Sequence, residues 1–233
     1  DTLTQQDVGE FVQVFLDTLE ENMKGTPAEE GMSRLFACVE CYEDRLQNPK
    51  DDRMRAWVRH RDTPPHWPFT LHHIRECEGV AEAFAKMCEP DIIEDFNTSD
   101  DKDELEKGIK KAKDRGDAEA VAELEEKMSK LLEEGKEGFG KQSIERRMCF
   151  KRLPAVLCIN LQRLQFCMQR GVAVKINSRF EFGETLDLSP HMAASAEPDP
   201  TGPPLYRLVS VIVHTGSSQA GHYVAFIRPE GKE

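Results

Sequence analysis

Residues 211–228 read VIVHTGSSQAGHYVAFIR. Two runs rich in β-branched and aromatic residues, 209–213 and 223–227, flank a turn of Ser, Gln, Ala and Gly. That is the pattern of a β-hairpin with a longer loop. His222 falls where the loop re-enters the second strand. Gly221 before it has no Cβ, so another chain can lie close to the backbone there. A histidine at a strand end beside a glycine-bearing loop suits a general base presented by a rigid scaffold. Taken alone it equally suits an ordinary half-exposed histidine at a hairpin mouth, since most histidines do no chemistry. The rest of the chain has to decide.

At 233 residues the chain is long enough for one large domain, or one and a half. Hydrophobic residues make up 39% and charged residues 32%, so a core can form while part of the chain stays solvated. A net charge of −12 argues against a nucleic-acid surface and leaves room for a basic protein partner. No apolar run approaches the ~18 residues needed to span a bilayer, and no signal-peptide pattern opens the chain. Seven cysteines, an odd count at irregular spacing, favour reduced thiols and hence the cytoplasm or nucleus over a disulfide framework.

Residues 4–24, TQQDVGEFVQVFLDTLEENMK, read as one amphipathic helix. Thr4 suits the N-cap and Asp7 the acidic position of a capping box. Val8, Phe11, Val12, Phe15, Leu16 and Leu19 recur at three- and four-residue steps and predict one buried face. Asp7 and Glu10 fall on another face near the helix start. They either favour the helix dipole or form an acidic patch aimed at a cationic partner. Cys38 and Cys41 have the CxxC spacing of half a zinc site, but no other cysteine pair supplies the second half and nothing in the spacing of His60, His66, His72 and His73 requires a mixed site, so no metal is assigned. Residues 67–74 have strand character, and residues 78–88 predict a short helix with Val80, Ala83, Phe84 and Met87 on one side.

Residues 98–140 differ in composition. Between Ser99 and Gly138 stand fourteen Asp and Glu against nine Lys and Arg. Helical periodicity survives over residues 117–134, with Asp117 as N-cap and Gly135 just past the end. This predicts a flexible charged insertion holding one amphipathic helix. Residues 154–161 form a nearly continuous apolar run, as a strand buried on both faces requires. Residues 166–172 read as a loop, residues 174–182 alternate like a strand, and residues 190–204 read as a surface loop. Helices early and strands late point to an α+β fold.

Together these pieces resemble the catalytic domain of the ubiquitin-specific proteases, papain-like cysteine proteases built as thumb, fingers and palm. Gln5-Gln6-Asp7-Val8-Gly9-Glu10-Phe11 is similar to the family's QQDAxEF helix. Leu153-Pro-Ala-Val-Leu-Cys-Ile-Asn-Leu-Gln-Arg163 resembles its LPxxLxxxLxRF strand. Lys175-Ile-Asn-Ser-Arg-Phe-Glu-Phe182 resembles KINxRFEF, and residues 206–227 resemble the YxLxxVxxHxGxxxxGHYxAxI box. The match covers residues 3–36, 68–96 and 144–230, and four motifs in order are far more specific than any one. It implies a partial catalytic domain over residues 1–233 with residues 98–140 inserted in it.

The resemblance also implies roles. His222 becomes the general base toward a cysteine thiol. Asp7 and Glu10 bind the basic tail of ubiquitin, whose arginines suit carboxylates. Residues 214–220, from His214, form a loop closing over that tail. Gly221 and Tyr223 line the narrow channel for its Gly-Gly end, and residues 166–174 form the other gating loop. The implied activity is thiol-dependent hydrolysis of isopeptide or peptide bonds after ubiquitin's terminal glycine, with ubiquitin and ubiquitinated proteins as partners and no cofactor.

Departures are Gly9 for the usual Ala or Gln, Leu164 for Phe, and Gly183 for Pro. The family's nucleophile precedes the QQD helix, and the acid that orients the histidine follows GHY on a later strand. No cysteine stands before Gln5. The expectation is therefore an internal piece of a deubiquitinase, inactive by itself and with apolar surface left bare. A non-catalytic ubiquitin-binding module is the alternative.

Overall fold

The computed structural model describes residues 8–72, 74–168, 171–196, 202–217 and 220–228. Helices α1 (Val8–Met23) and α2 (Gly31–Phe36) come first, then β1 (Val39–Leu46), α3 (Asp52–Ala56), β2 (Val58–Asp62), β3 (Phe69–Leu71) and α4 (Val80–Met87). Strand β4 (Asp91–Asn97) leads into α5 (Asp100–Arg115) and α6 (Ala118–Glu133). The rest is strand-rich: β5 (Lys141–Arg152), β6 (Ile159–Leu161), β7 (Leu164–Cys167), β8 (Val172–Lys175), β9 (Thr185–Asp187), β10 (Leu205–Arg207), β11 (Ser210–Gly216) and β12 (Gly221–Ile227). The α+β class expected from the sequence is what the structure has. Contacts divide it into two units, one comprising Cys41–Arg61 and Glu89–Met148, the other the remaining segments.

The unit comprising Cys41–Arg61 and Glu89–Met148 is organised on a four-stranded sheet of order β2-β1-β5-β4. Its core gathers Leu46, Met54, Trp57 and Ile144, with Ile93, Phe96 and Phe139 packed around them. Met54 reaches that core from α3, which starts where Asp51 accepts a bond from the Met54 amide (2.7 Å). Buried Asp44 is held bidentately by Arg146 at 2.6 and 2.8 Å, which offsets the cost of taking its charge out of water.

Residues 98–140 correct the sequence reading. They carry two helices, α5 and α6, packed against each other as a hairpin, not one helix in a flexible excursion. The charge of α5 hid its apolar stripe: Leu105, Ile109 and buried Ala112 recur at helical spacing, and Gly108 lets Leu124 of α6 close in. The predicted ends of α6 hold. Asp117 accepts from the Ala120 amide (3.1 Å), and the Gly135 and Lys136 amides bond Leu132 and Leu131 carbonyls in a Schellman closure.

In the other unit, Phe69, Phe84 and Phe150 meet with ring centroids 5.2 to 5.8 Å apart. Helix α4 brings Phe84 there with Val80 and Ala83, as its spacing predicted. A second cluster joins Leu16, Met32, Ala37 and Trp67, whose indole donates to Asp17 (3.0 Å). The predicted buried face of α1 is only partly buried. Leu16 is covered, Val8 and Val12 are half-buried, and Phe11 and Phe15 stack on each other at 62% and 52% exposure. Periodicity identifies the apolar face of a helix, not what lies over it. Thr4 and Asp7 lie outside the described residues.

Two predicted strands are shorter than expected. Residues 154–158 are irregular because their amides turn to α2: Val156 donates to the Leu35 carbonyl (2.9 Å). Only Ile159–Leu161 is strand, half-buried and parallel to β3. Strands β7 and β8 pair antiparallel, Leu164–Cys167 with Val172–Lys175, so the strand predicted over 174–182 stops at Lys175. Beyond it, Ile176 and Phe180 are buried instead of alternating, and Glu181 pairs by backbone with Glu78 and Val80 at the start of α4 (2.8 Å each). Arg163 pins this segment by donating to the carbonyls of Ile176 (3.1 Å) and Ser178 (3.0 Å).

Candidate active site

Strands β11 and β12 form an antiparallel ribbon whose register sets the site: Thr215 pairs with His222, His214 with Tyr223 and Gly216 with Gly221. Alternation then puts His214, Tyr223, Gly216 and Gly221 on one face. His222 lies on the other, with Thr215, Val213 and Val224. The structure thus brings together only part of the predicted set. Residues 214–216, predicted as loop, are strand, because the β-branched run continues through Thr215 and pairs in full; the connection is left to residues 217–220.

On the shared face the His214 and Tyr223 rings lie 4.8 Å apart. Gly221 packs so closely that a Cβ there would overlap the His214 imidazole and the Thr215 carbonyl oxygen. This contact, not an unusual backbone angle, requires glycine. The Tyr223 hydroxyl accepts from the Val8 amide at the start of α1 (3.4 Å). The positive dipole end of the helix is therefore brought to the ribbon. Glu10 occupies that same first turn and is exposed. Asp7 lies outside the described residues.

His214 and Tyr223, with Val8 and Gly9, line a cleft of about 2260 Å³. That is larger than the roughly 300–1,000 Å³ of small-molecule pockets. His222 is exposed on its strand. Among the described residues the thiols are a poor match to it as nucleophiles. Cys38, Cys41, Cys77, Cys88 and Cys149 are buried, and Cys158 is half-buried. Burial pushes the Cys38 thiol up to about 12 and raises that of Cys158 as well. Among the described residues no group of three His, Cys, Asp or Glu side chains could hold a metal ion, and Cys38 and Cys41 sit in and beside a strand.

Two participants escaped the sequence reading. One is the Val8 amide, which no side-chain pattern can reveal. The other is Lys175, whose ammonium donates to the carbonyls of His214 (2.9 Å) and Gly216 (3.0 Å). Its only signal is its place at the head of the KINSRFEF segment.

The fold is shared with solved deubiquitinating modules and is papain-like. The SAGA Ubp8/Sgf11/Sus1/Sgf73 DUB module bound to ubiquitin aldehyde superimposes with a TM-score of 0.64 at 17% identity, over 98% of this chain and 43% of that one. The ubiquitin carboxyl-terminal hydrolase family matches residues 1–233, and the chain belongs to that family. Relatives include ubiquitin carboxyl-terminal hydrolase 15 of Schizosaccharomyces pombe, 28% identical over 99% of this chain and 16% of its own length. Ubiquitin C-terminal hydrolase 12 of Arabidopsis thaliana is 28% identical over 98% of this chain and 17% of its own. The chain thus spans about a sixth of the length of the curated relatives it matches.

Proposed function

We propose that the chain is part of a deubiquitinase catalytic domain, hydrolysing the isopeptide or peptide bond after ubiquitin's terminal glycine. One observation carries this reading furthest. Gly221, the first residue of the strand bearing His222, packs against its own ribbon too tightly for a side chain, next to His214 and Tyr223, which line a large cleft. By the family resemblance Gly221 and Tyr223 line the channel for the Gly-Gly end, where a bulkier residue would clash. His222 is the general base toward a cysteine thiol that is none of the buried cysteines described above, and the thioester formed is then hydrolysed. Glu10 and Asp7 receive the arginines of the ubiquitin tail. Residues 166–174 and 217–220 close over it.

Residues 1–233 are on this reading a partial catalytic domain, with residues 98–140 an insertion in it. Within the family the turn Asn22-Met-Lys-Gly-Thr26 favours a particular likeness to the herpesvirus-associated ubiquitin-specific protease. An odd number of irregularly spaced cysteines fits a reducing compartment, cytoplasm or nucleus. Among the described residues no helix is long and apolar enough to cross a membrane.

The test is an electrophilic ubiquitin C-terminal probe on the full-length protein. Labelling is expected for the wild type, and a loss of at least about 10³-fold in labelling rate for His222→Ala. Full-length protein that binds ubiquitin yet stays unlabelled would sink the enzymatic reading in favour of a binding module. For residues 1–233 alone no adduct is expected; one on Cys38 or Cys41 would contradict the assignment.

A further inference from the structure

Backbone bonds at the two ends of the β11–β12 ribbon fix which of its residues exchange hydrogen bonds. The Ser217 amide donates to the Ala220 carbonyl and the Arg228 amide to the Val209 carbonyl, each at 2.8 Å. Odd-numbered residues of β11 therefore bond to β12. The even-numbered ones, His214 and Gly216, turn their carbonyls to the opposite edge. An edge leaves such groups unpaired. Here one ammonium takes both, that of Lys175, at 2.9 and 3.0 Å.

Lys175 is half-buried, and among the described residues no carboxylate pairs with it. It is the last residue of β8, pairing across its hairpin with Leu164. Between the two carbonyls it holds lies Thr215, whose partner across the ribbon is His222. The backbone opposite the proposed base is thus tied to the root of the β7–β8 hairpin, itself the proposed gating segment. Charge-assisted bonds of this kind are about twice as strong as neutral ones.

We infer that Lys175 is a positioning residue: by fastening the free edge of β11 to β8 it holds His222 in register for proton transfer. This rests on the deubiquitinase reading above. Misplacement of a catalytic group by an ångström can cost on the order of 10²-fold in rate. The full-length protein is compared as wild type, Lys175→Met and Lys175→Arg, with a fluorogenic ubiquitin C-terminal conjugate, and kcat is expressed per site titrated by the electrophilic probe. For Lys175→Met, kcat per titrated site is expected to fall on the order of 10-fold with KM changed less than about 3-fold. Lys175→Arg, whose guanidinium can still donate to both carbonyls, is expected to recover to within about 3-fold of wild type. Amide exchange over residues 214–221 should rise in the Met variant and not in the Arg variant.

A purely structural lysine would instead lower the number of titrated sites and leave kcat per site unchanged. That result, or unaltered exchange over residues 214–221, overturns the positioning role while leaving the deubiquitinase reading standing. Wild-type protein that neither labels nor turns over overturns that reading, and the role of Lys175 with it.

Discussion

The ring of His66 lies between Glu40, whose carboxylate is 3.5 Å from Nε2, and the Pro64 carbonyl, 3.3 Å from Nδ1. Glu40 first, and then Pro64, raise its pKa above the ordinary imidazole value, and burial opposes them. The sign follows by linkage. A group whose folded pKa lies above its unfolded one contributes stability that is fully present below the unfolded value, about 6.5. The contribution is lost as pH rises through the folded pKa. The urea midpoint of His66→Gln should therefore fall below that of the unsubstituted chain at pH 5.5, and the gap should close by pH 8.5. An equal gap at both values would exclude the charged pair as its cause. At this scale the sequence was most informative where a motif marks a close contact, as at Gly221, whose missing Cβ leaves room for the His214 imidazole; the general-base role of His222 is proposed from its motif. The sequence was silent where a side chain serves the backbone. The job of Lys175 depends on which edge two carbonyls face, and only strand register decides that.

The base of the α5–α6 hairpin is closed by Thr98, 2% exposed. Its amide and hydroxyl both donate to the Gly140 carbonyl (2.9 and 2.8 Å), and its hydroxyl oxygen accepts from the Phe139 amide (2.7 Å). Gly138, at φ +77°, lies so near that a Cβ would overlap the Thr98 carbonyl. Thr98→Val keeps the shape but leaves the part-buried Phe139 N–H without its acceptor, which costs about 1–3 kcal/mol. Chemical denaturation monitored through Trp57, whose core belongs to the same unit, measures it. Elements were legible in proportion to their periodicity. α4 and α6 carry apolar residues at clean spacing and were anticipated nearly to the residue. α5 was not, since a stripe of Leu105, Ile109 and Ala112 is drowned by its charges. The strand expected over residues 174–182 failed for a different reason: alternation of Ile176, Phe180 and their neighbours mimics a strand, but their backbone partners are Arg163 and Glu78.

For the molecule as a whole, four ordered motifs specified the family and the α+β class more firmly than any single element could. The sequence left open which apolar surface is covered. Phe11, Phe15, Ile212, Phe226 and Ile227 all stand at least 49% exposed, although their spacing marks them as interior residues. A net charge of −12 suits association with a basic surface, an attraction that weakens as salt rises. The buried thiols have one more use. With a pKa of about 12, Cys38 is ionised to roughly one part in 10⁵ at pH 7, and alkylation proceeds through the thiolate. Iodoacetamide added to native protein should modify Cys38, Cys77, Cys88 and Cys149 only as quickly as their unit opens, and Cys41 as quickly as the other does. Mass spectrometry of the time course should give two groups of rates. Fast modification of all five would contradict their burial. The chain thus carries, in residues with no part in its proposed chemistry, a clock for the opening of each half.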